Sequence, residues 1–304
     1  MCGFCGFSCS GEDSGQVIHA MMNKISHRGP DSSGTFFGEN MVLGFRRLAI
    51  IGLEDGNQPL YNEDKNLVLV FNGEIYNYKE LREVLSSKGH VFSTHSDAET
   101  VLHLYEEYGT GALNHLRGMF AFSLYDIEND RLFAARDPFG IKPFYYTKTE
   151  SGLIFGSEIK SFLPHPGFRK SVNTEALAHY LTFQYSVLPE TFFCGVYKLL
   201  PGHHLIWEKG NLSTCRYHSH IFTPVNMSLE TAAENIDTAV KDSVEKHMES
   251  DVEVGCFLSG GVDSSYIAAT FGGSKTFSVG FDYDNYNEIS LAKEHSNRCG
   301  TKNI

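Results

Sequence analysis

The chain begins with Met1-Cys2-Gly3-Phe4-Cys5-Gly6-Phe7, an apolar run with a cysteine directly behind the initiator methionine. The small side chain of cysteine permits removal of Met1, which leaves a thiol and a free α-amine on one residue. The thiol has an ordinary pKa of about 8.5 and the α-amine of about 8, so the amine can act as the base that activates the thiol. Because no other position offers both groups, we expect the rest of the fold to be organised around this one.

Two other interpretations of this segment compete with a nucleophile. A cysteine at position 2 can arise by chance, and Cys2, Cys5 and Cys9 are close enough in sequence to suggest a metal cluster. The run behind Cys2 is typical of a buried strand, however, and strand side chains alternate between faces. Cys5, Phe7 and Cys9 are then predicted on one face, and Cys2 and Phe4 on the other. This separation of the thiols disfavours a metal site.

Composition limits the class of protein. The 304 residues suffice for two domains, and 41% are hydrophobic. A net charge of −12 and a pI near 5.6 argue against nucleic acid or an anionic membrane as partner. The seven cysteines are an odd number and are scattered, and neither a signal peptide nor a long apolar run is seen. The sequence therefore predicts a cytoplasmic protein with reduced thiols. The other cysteines and the 14 histidines show no metal-ligand spacing.

The first 216 residues alternate many short strands with a few helices, which predicts sheets packed face to face with helices outside. Leu67–Phe71 is a continuous apolar run that predicts a strand covered on both faces and ended by Asn72-Gly73. A short strand is predicted at Ala49–Ile51. A helix is predicted from Asp97 to Tyr108, with Asp97 as its capping residue.

The pattern changes near residue 220. Ser228 is expected to cap a helix that extends to about Ser250, with an apolar stripe at Leu229, Ala232, Ile236, Val240 and Val244. Then follow a predicted strand (Val252–Leu258), a tight loop (Ser259–Asp263), a helix (Ser264–Phe271), a second strand (Lys275–Phe281) and a helix (Glu288–Arg298). This is a βαβ unit, the start of a parallel sheet. Two parallel strands leave faces and edges uncovered, so we expect that another chain completes the domain or, our preference, that the sequence is a fragment.

Candidate partners for the Cys2 thiol lie at three places. The Asn72 side-chain amide and the Gly73 backbone N–H can form an oxyanion hole, although Asn-Gly taken alone favours a hairpin turn. Arg47 and Asp97 offer a guanidinium for the carboxylate and a carboxylate for the ammonium of an amino-acid substrate. The alternative interpretation is that Arg47 and Asp97 are ordinary solvated charges.

The segment Ser259-Gly260-Gly261-Val262-Asp263-Ser264-Ser265 joins a predicted strand to a predicted helix. Two glycines allow close backbone approach, and a helix N-terminus attracts an anion such as phosphate. Asp263 could hold Mg²⁺ against phosphate oxygens. The segment lacks the lysine of the Walker pattern. The alternative is a plain turn of small residues.

Taken together, several motifs occur in order along the chain. They are Met1-Cys2-Gly3, His27–Asp31, Arg47–Ile51, Asn72–Asn77, Ser96–Glu99, Gly118–Phe122, Arg136–Pro143, Ser250–Val252, Ser259–Ser265 and Ser278–Phe281. The chain resembles the glutamine-hydrolysing asparagine synthetases over almost its whole length. This resemblance implies an α+β four-layer αββα N-terminal-nucleophile hydrolase domain at 2–216. It further implies the start of an α/β parallel-sheet ATP-pyrophosphatase domain at 228–304.

The resemblance also implies a set of site residues. Its implied catalytic residues are Cys2, Asn72 and Gly73. The implied glutamine-binding residues are Arg47, Leu48, Ala49, Ile50, Ile51, Asn72, Gly73, Glu74 and Asp97. For ATP the implied residues are Leu258, Ser259, Gly260, Gly261, Asp263, Ser264 and Val279, with Asp263 as the metal ligand.

The resemblance implies a two-step reaction with ATP and Mg²⁺ as cofactors. Glutamine is hydrolysed at Cys2, and the ammonia passes internally to the second domain. There aspartate and ATP form β-aspartyl-AMP, which ammonia converts to asparagine. A later glycine-rich acidic segment of the family is absent here, so we expect the chain as given to hydrolyse glutamine and to make no asparagine. The sequence leaves the oligomeric state open, a homodimer included.

Other functions stay open on the sequence alone. A phosphoribosyl or hexosamine-phosphate amidotransferase would share the first domain, but its acceptors do not use a loop like Ser259–Ser265. A relative that builds another amide or a lactam is harder to exclude, although such relatives often lack the cysteine. A non-catalytic remnant would be expected to lose Cys2, Asn72 or Asp97, and all three are present.

Overall fold

The computed structural model describes residues 1–9, 11–186, 188–280 and 288–304. The chain forms two compact units, Met1–Ile221 and Phe222–Ile304. The end of the predicted strand Lys275–Phe281, and with it the last residue of the Ser278–Phe281 motif, lies outside the described residues.

Antiparallel strands dominate the first unit. Its strands are β1 (Gly3–Ser8), β2 (Ser32–Phe37), β3 (Met41–Arg47), β4 (Leu60–Tyr61), β5 (Leu67–Ile75), β6 (Gly118–Asp126), β7 (Arg131–Arg136), β8 (Tyr145–Thr149), β9 (Gly152–Gly156), β10 (Val196–Lys198), β11 (His203–Glu208) and β12 (Asn211–Arg216). Within the described residues they form a first sheet of order β10-β8-β9-β1-β3-β2 and a second of order β12-β11-β7-β6-β5-β4.

Helices cover the outer faces of both sheets. The helices of this unit are α1 (Ser14–Lys24), α2 (Tyr78–Ser87), α3 (Glu99–Tyr108) and α4 (Thr174–Phe183). α1 buries Ile18 and Met21 against the first sheet. α3 buries Val101 and Leu102 against the second sheet. The order of layers is helix, sheet, sheet, helix, which is the predicted αββα architecture.

The main core lies between the two sheets. Phe4, Leu43 and Phe45 from the first sheet pack in one cluster with Val68 and Val70 from the second. All five side chains are fully shielded from solvent. This burial of apolar surface is the dominant favourable contribution to folding and holds the two sheets in register.

The predicted alternation of β1 is confirmed. Phe4 belongs to the core between the sheets, against which Cys2 also packs, whereas Cys5 and Phe7 pack against α1 on the other face. The thiols of Cys2 and Cys5 therefore lie on opposite sides of the first sheet.

Two local predictions were wrong. β5 continues through Asn72 and Gly73, which pair with Ala121 and Phe120 of β6, so this dipeptide neither ends the strand nor forms a turn. A Cβ on Gly73 would lie 2.3 Å from the Met119 carbonyl oxygen, and only glycine permits so close an approach of β6.

The second wrong prediction is the strand at Ala49–Ile51, which is an irregular loop. Its backbone groups bond to side chains instead of a neighbouring strand. The N–H of Ala49 donates to Asp31, and the carbonyl of Ile51 accepts from Arg47. The Asp31 contact links distant positions of the chain, so local propensity does not indicate it.

The second unit contains a parallel sheet of order β13-β14-β15. Its elements are α5 (Leu229–His247), β13 (Cys256–Phe257), α6 (Val262–Phe271), β14 (Lys275–Phe277), α7 (Ile289–Arg298) and β15 (Lys302–Asn303). The βαβ unit is thus confirmed, and β15 adds a third strand that the sequence analysis missed. As predicted, the side chain of Ser228 caps α5.

The elements of this unit are shorter or less buried than predicted. Of the predicted strand Val252–Leu258, only Cys256–Phe257 pairs. The apolar stripe of α5 is not buried: Leu229 is 82% and Ile236 is 61% exposed. Helical periodicity predicts which residues share a face, but it does not show that a described residue covers that face.

The core between the sheets leads to a stability prediction. Replacement of Phe45 by alanine should lower the free energy of unfolding by about 3–5 kcal/mol, because it removes a fully buried ring from a closely packed cluster. Phe37→Ala, at a site that is 51% exposed on neighbouring β2, should cost less than about 1 kcal/mol. Urea unfolding of both variants measures the difference, and equal losses would contradict this account of the core.

Candidate active site

A pocket of about 480 Å³, including the space at its open mouth, lies beside the polar residues at the C-terminal ends of β3 and β5. It is lined by Met1, Cys2, Arg47, Leu48, Ile50, Ile51, Gly56, Gln58, Phe71, Asn72, Gly73, Glu74, Ser96, Asp97 and Lys142. The structure therefore brings together the predicted nucleophile, the predicted oxyanion donors and the two predicted charges.

The Cys2 thiol is half-buried and forms hydrogen bonds with the backbone of one residue, Leu48. Its Sγ accepts a hydrogen bond from the Leu48 N–H at 3.3 Å and lies 3.4 Å from the Leu48 carbonyl oxygen, to which the thiol donates. Burial raises the pKa of the Cys2 thiol above its ordinary value. The Leu48 hydrogen bond and the positive charges of the Met1 amine, Arg47 and Lys142 act in the opposite direction. The resting thiol is thus protonated at neutral pH and requires a base.

The main chain at Cys2 is fixed by Arg28. The Nε of Arg28 donates to the Cys2 carbonyl oxygen at 2.9 Å, and its Nη1 donates to Glu158 at 3.0 Å. Arg28 belongs to the His27–Asp31 motif, and the sequence alone assigned no role to it. The structure shows that it orients the backbone from which the thiol projects.

Asn72 has a donor that is buried and unused. Its side chain is 1% exposed, and among the residues that the structure describes its Nδ2 has no hydrogen-bond partner. A buried donor without a partner costs about 1–3 kcal/mol, so such groups mark sites that take a ligand or a developing charge. Asn72 lines the same pocket as Cys2, and Gly73 is its neighbour.

The guanidinium of Arg47 is buried and organises the loop that follows β3. It donates to the carbonyl oxygens of Ile51, Gly52 and Leu53 and to the side chain of Asn57, at distances of 2.5–3.2 Å. Arg47 therefore shapes the wall of the pocket while its charge remains inside it.

Asp97 does not cap a helix as predicted, because α3 begins at Glu99 and Asp97 lies before it. Its Oδ2 accepts a hydrogen bond from the Ile75 N–H at 2.7 Å. Burial, together with a smaller contribution from the charge of Glu74, raises the pKa of Asp97 to about 7, although the Ile75 hydrogen bond opposes the shift. A cationic ligand would reverse this shift by pairing with the carboxylate.

The predicted glutamine-binding residues line the pocket except for Ala49, whose N–H is bonded to Asp31 instead. Lys142 was missed as a pocket residue. It is 5% exposed, burial lowers its pKa, and the charges of Glu74 and Cys2 oppose that shift. The position of Lys142 within the Arg136–Pro143 motif could have indicated a role in the site, but no spacing rule links residue 142 to residue 2.

The predicted phosphate loop of the second unit joins β13 to α6. Gly260 has φ +85°, a backbone conformation that favours glycine. The Oγ atoms of Ser259 and Ser264 lie 3.0 Å apart, and the Ser264 hydroxyl donates to the Gly261 carbonyl at 3.1 Å. The first residue before α6 is Gly261, so the helix N-terminus faces this loop.

The other predicted residues lie at the same edge of the parallel sheet. Leu258 follows β13, and its N–H donates to the Phe277 carbonyl of β14 at 2.8 Å. Val279 lies two residues beyond β14 and is 82% exposed. Asp263 is exposed in the first turn of α6. Ligands of open α/β sheets bind at this carboxyl edge.

The four-layer αββα fold, with a cysteine before its central strand β1, defines the first unit as an N-terminal-nucleophile type of amidotransferase domain. The family model described as a glutamine amidotransferase domain matches residues 1–218. The chain belongs to this family. The model described as asparagine synthase matches residues 235–304.

Individual relatives agree with this assignment. The chain is 43% identical to asparagine synthetase [glutamine-hydrolyzing] 1 of Bacillus subtilis, over 100% of this chain and 50% of the relative. It is 32% identical to the amidase chyE of Penicillium rubens, over 99% and 50%. The chain spans about half the length of the curated relatives it matches. A solved glutamine phosphoribosylpyrophosphate amidotransferase of B. subtilis has the same fold, with a TM-score of 0.54 at 17% identity over 99% of this chain and 65% of that one.

Across the described residues, no helix combines the length and apolar character needed to cross a membrane.

The raised pKa of Asp97 predicts a pH-dependent stability. The carboxyl titrates at about 7 in the folded protein and near 3.9 when unfolded, so the folded state binds the extra proton between these values and loses stability as the pH rises through them. Asp97→Asn removes this loss. The quantity to compare is the unfolding free energy of Asp97→Asn minus that of the unchanged protein. This difference should be on the order of 1–3 kcal/mol larger at about pH 8 than at about pH 5.

Urea unfolding at the two pH values measures this difference. Glu83→Gln, on the exposed side of α2, is the control and should show the same change as the unchanged protein. If Asp97→Asn behaved like Glu83→Gln, the carboxyl of Asp97 would not be titrating with a raised pKa.

Proposed function

We propose that the first unit hydrolyses glutamine to glutamate and ammonia. The observation that carries the proposal is the Nδ2 of Asn72, which is buried in the same pocket as the Cys2 thiol and has no hydrogen-bond partner in the described part of the chain. The proposed active domain is 2–216, with Cys2, Asn72 and Gly73 as catalytic residues.

Removal of Met1 is the first requirement of this proposal. Met1 lines the pocket, so its loss enlarges the space beside the thiol. It also turns the backbone nitrogen of Cys2 into an α-amine. Burial lowers the pKa of the Met1 amine in this structure, and the same desolvation would act on an amine at Cys2. A lower pKa leaves more of this amine neutral at physiological pH, and the neutral amine can take the thiol proton.

The chemistry then proceeds through a thioester. The Cys2 thiolate adds to the side-chain carbonyl carbon of glutamine, and the carbonyl oxygen takes the negative charge. The Asn72 amide and the Gly73 N–H donate to this oxyanion. The amide nitrogen of this tetrahedral intermediate takes the proton from the Cys2 ammonium. The C–N bond then breaks, ammonia leaves, and the oxyanion returns to a carbonyl in the thioester. Water then cleaves the thioester, which releases glutamate and restores the thiol.

Charged groups in the pocket suit the two ends of an amino acid. Asp97 and Glu74 would pair with the ammonium of glutamine, and Arg47 with its carboxylate. The terminal N–H groups of Arg47 bond to its loop, so the carboxylate would replace one of these partners. Leu48, Ala49, Ile50 and Ile51 would supply backbone and apolar contacts along the substrate.

The second unit, with a proposed domain at 228–304, would use ammonia for an ATP-dependent amide synthesis. Similarity to the asparagine synthetases supports aspartate as the acceptor. Aspartate would be activated as β-aspartyl-AMP with release of pyrophosphate, and ammonia would convert this intermediate to asparagine. The scattered cysteines, all of them free thiols, support a cytoplasmic enzyme. Because the chain is also similar to an amidase, a carboxylate acceptor other than aspartate is the second candidate.

The loop after β13 fits a nucleotide with Mg²⁺. Gly260 and Gly261 let phosphate approach the backbone, and Ser259 and Ser264 present hydroxyls there. Asp263 is exposed at the start of α6 and could hold Mg²⁺, which when bound offsets the charge of the phosphates. Leu258 and Val279 would contact the nucleoside from the strand ends.

Glutamate release from glutamine by the purified chain tests the hydrolysis. The unchanged chain should release glutamate and begin at Cys2 by mass spectrometry, and Cys2→Ala should release none. Asn72→Ala should lower kcat about 10²–10³-fold with a smaller effect on KM, because its donor acts on the oxyanion rather than on bound glutamine.

Cys9→Ala is the matched control, since Cys9 is an exposed thiol at the opposite end of β1, and it should retain full activity. Activity that survives in Cys2→Ala, or that is lost equally in Cys9→Ala, would contradict an N-terminal nucleophile.

Calorimetric titration with ATP tests the loop of the second unit. Binding should strengthen when Mg²⁺ is added, and Asp263→Asn should remove most of this Mg²⁺ effect while leaving metal-free binding little changed. Glu234→Gln, at an exposed position of α5, should behave like the unchanged chain. An equal Mg²⁺ effect in the unchanged chain and in Asp263→Asn would rule out Asp263 as the metal ligand.

A further inference from the structure

Four side chains with metal-binding atoms converge in the first unit, outside the pocket of Cys2. They are Glu63, His90, His103 and Glu106, and their ligand atoms all lie within 4.8 Å of one another. They come from three segments: the loop after β4, the connection between α2 and α3, and one turn of α3. His103 is completely buried, and the side chain of His90 is only 14% exposed.

The spacing of these atoms suits a shared cation better than direct pairing. The Nδ1 of His103 lies 2.9 Å from Glu106 and 3.4 Å from Glu63, and the Nδ1 of His90 lies 3.6 Å from each of the two carboxylates. Three of the four distances exceed the usual hydrogen-bond range. Ligands of a tetrahedral ion with bonds of 2.0–2.1 Å are about 3.3–3.4 Å apart, close to what is observed.

Both imidazole rings have a carboxylate at their second nitrogen. The Nε2 of His90 lies 3.2 Å from Glu107, within hydrogen-bond range. The Nε2 of His103 lies 3.7 Å from Glu99, which is near enough for charge attraction but too far for a hydrogen bond. Glu99 itself accepts hydrogen bonds from the backbone and hydroxyl groups of Ser93 and Thr94. A carboxylate behind a histidine is the usual arrangement at metal sites, because it orients the ring and increases its basicity.

The two carboxylate ligands are also held in place. The Nδ2 of Asn62 donates to Glu106 at 2.7 Å, and the Val91 N–H donates to Glu63 at 2.7 Å. In each case the hydrogen bond leaves a carboxylate oxygen directed at the histidines. The site is therefore oriented before any ion enters.

We propose that Glu63, His90, His103 and Glu106 bind one divalent transition-metal ion, for which Zn²⁺ is the best match. Two imidazoles and two carboxylates are suitable ligands for such an ion, and its charge offsets the negative charge gathered around the rings. The ion has a structural role: it links three distant segments and, through the Glu99 hydrogen bonds, secures the stretch that leads to Asp97.

The test uses the full chain without a histidine tag, after dialysis against a chelator. Calorimetric titration with Zn²⁺ should show one ion per chain, and Zn²⁺ should raise the Tm. Co²⁺ should give the intense visible absorption of four-coordinate cobalt without a sulfur charge-transfer band, which separates this site from the cysteines. His90→Gln and Glu63→Gln should each weaken the Kd for Zn²⁺ by about tenfold or more.

His19→Gln, an exposed histidine of α1, is the matched control and should bind Zn²⁺ like the unchanged chain. Circular dichroism confirms that each variant is folded, and Glu107→Gln, which leaves all four ligands intact, should still weaken binding about 10–100-fold. Failure of the unchanged chain to bind Zn²⁺ or Co²⁺ would overturn the proposal. It would also be overturned if His90→Gln and Glu63→Gln bound Zn²⁺ as tightly as the unchanged chain. The cluster would then be a set of direct histidine–carboxylate pairs.

Discussion

The structure of the first unit depends on the burial of apolar side chains between its two sheets. Phe4 and Phe45 from one sheet and Val70 from the other share this core, so β1, β3 and β5 are held at fixed positions relative to one another. This packing places the backbone that carries the site groups, and hydrogen bonds from Arg28 and Leu48 then fix Cys2. Cys2 precedes β1, Arg47 ends β3, and Asn72 lies within β5.

The pocket formed in this way contains polar groups that do not stabilise the fold. Burial keeps the Cys2 thiol protonated, raises the pKa of Asp97 to about 7, and leaves the Nδ2 of Asn72 without a partner among the described residues. Each of these features is unfavourable in the empty protein, and each becomes favourable with a cation, an oxyanion or a base beside it. The stability lost here is supplied by the surrounding core.

Sequence motifs identified the site residues better than the local structure around them. Asn72 and Gly73 were assigned to the pocket correctly, although taken alone they predict a turn, because pairing with β6 outweighs turn propensity. Asp97 was expected to cap a helix, but its carboxylate bonds to Ile75. Lys142 in the pocket and the cluster around His103 were missed, since their members are separated by spacings that no local pattern connects.

By itself, the sequence determined the two-part organisation, the αββα class and the alternation of β1, and it indicated Cys2 as the candidate nucleophile. These follow from short-range periodicity and from motifs that carry their chemistry locally. Only the tertiary structure decided the extent of β5, the irregular path of residues 49–51, the third strand of the second unit and the environment that raises the pKa of Asp97. Those features depend on burial and on hydrogen bonds between distant residues, and such contacts exist only once the chain has folded.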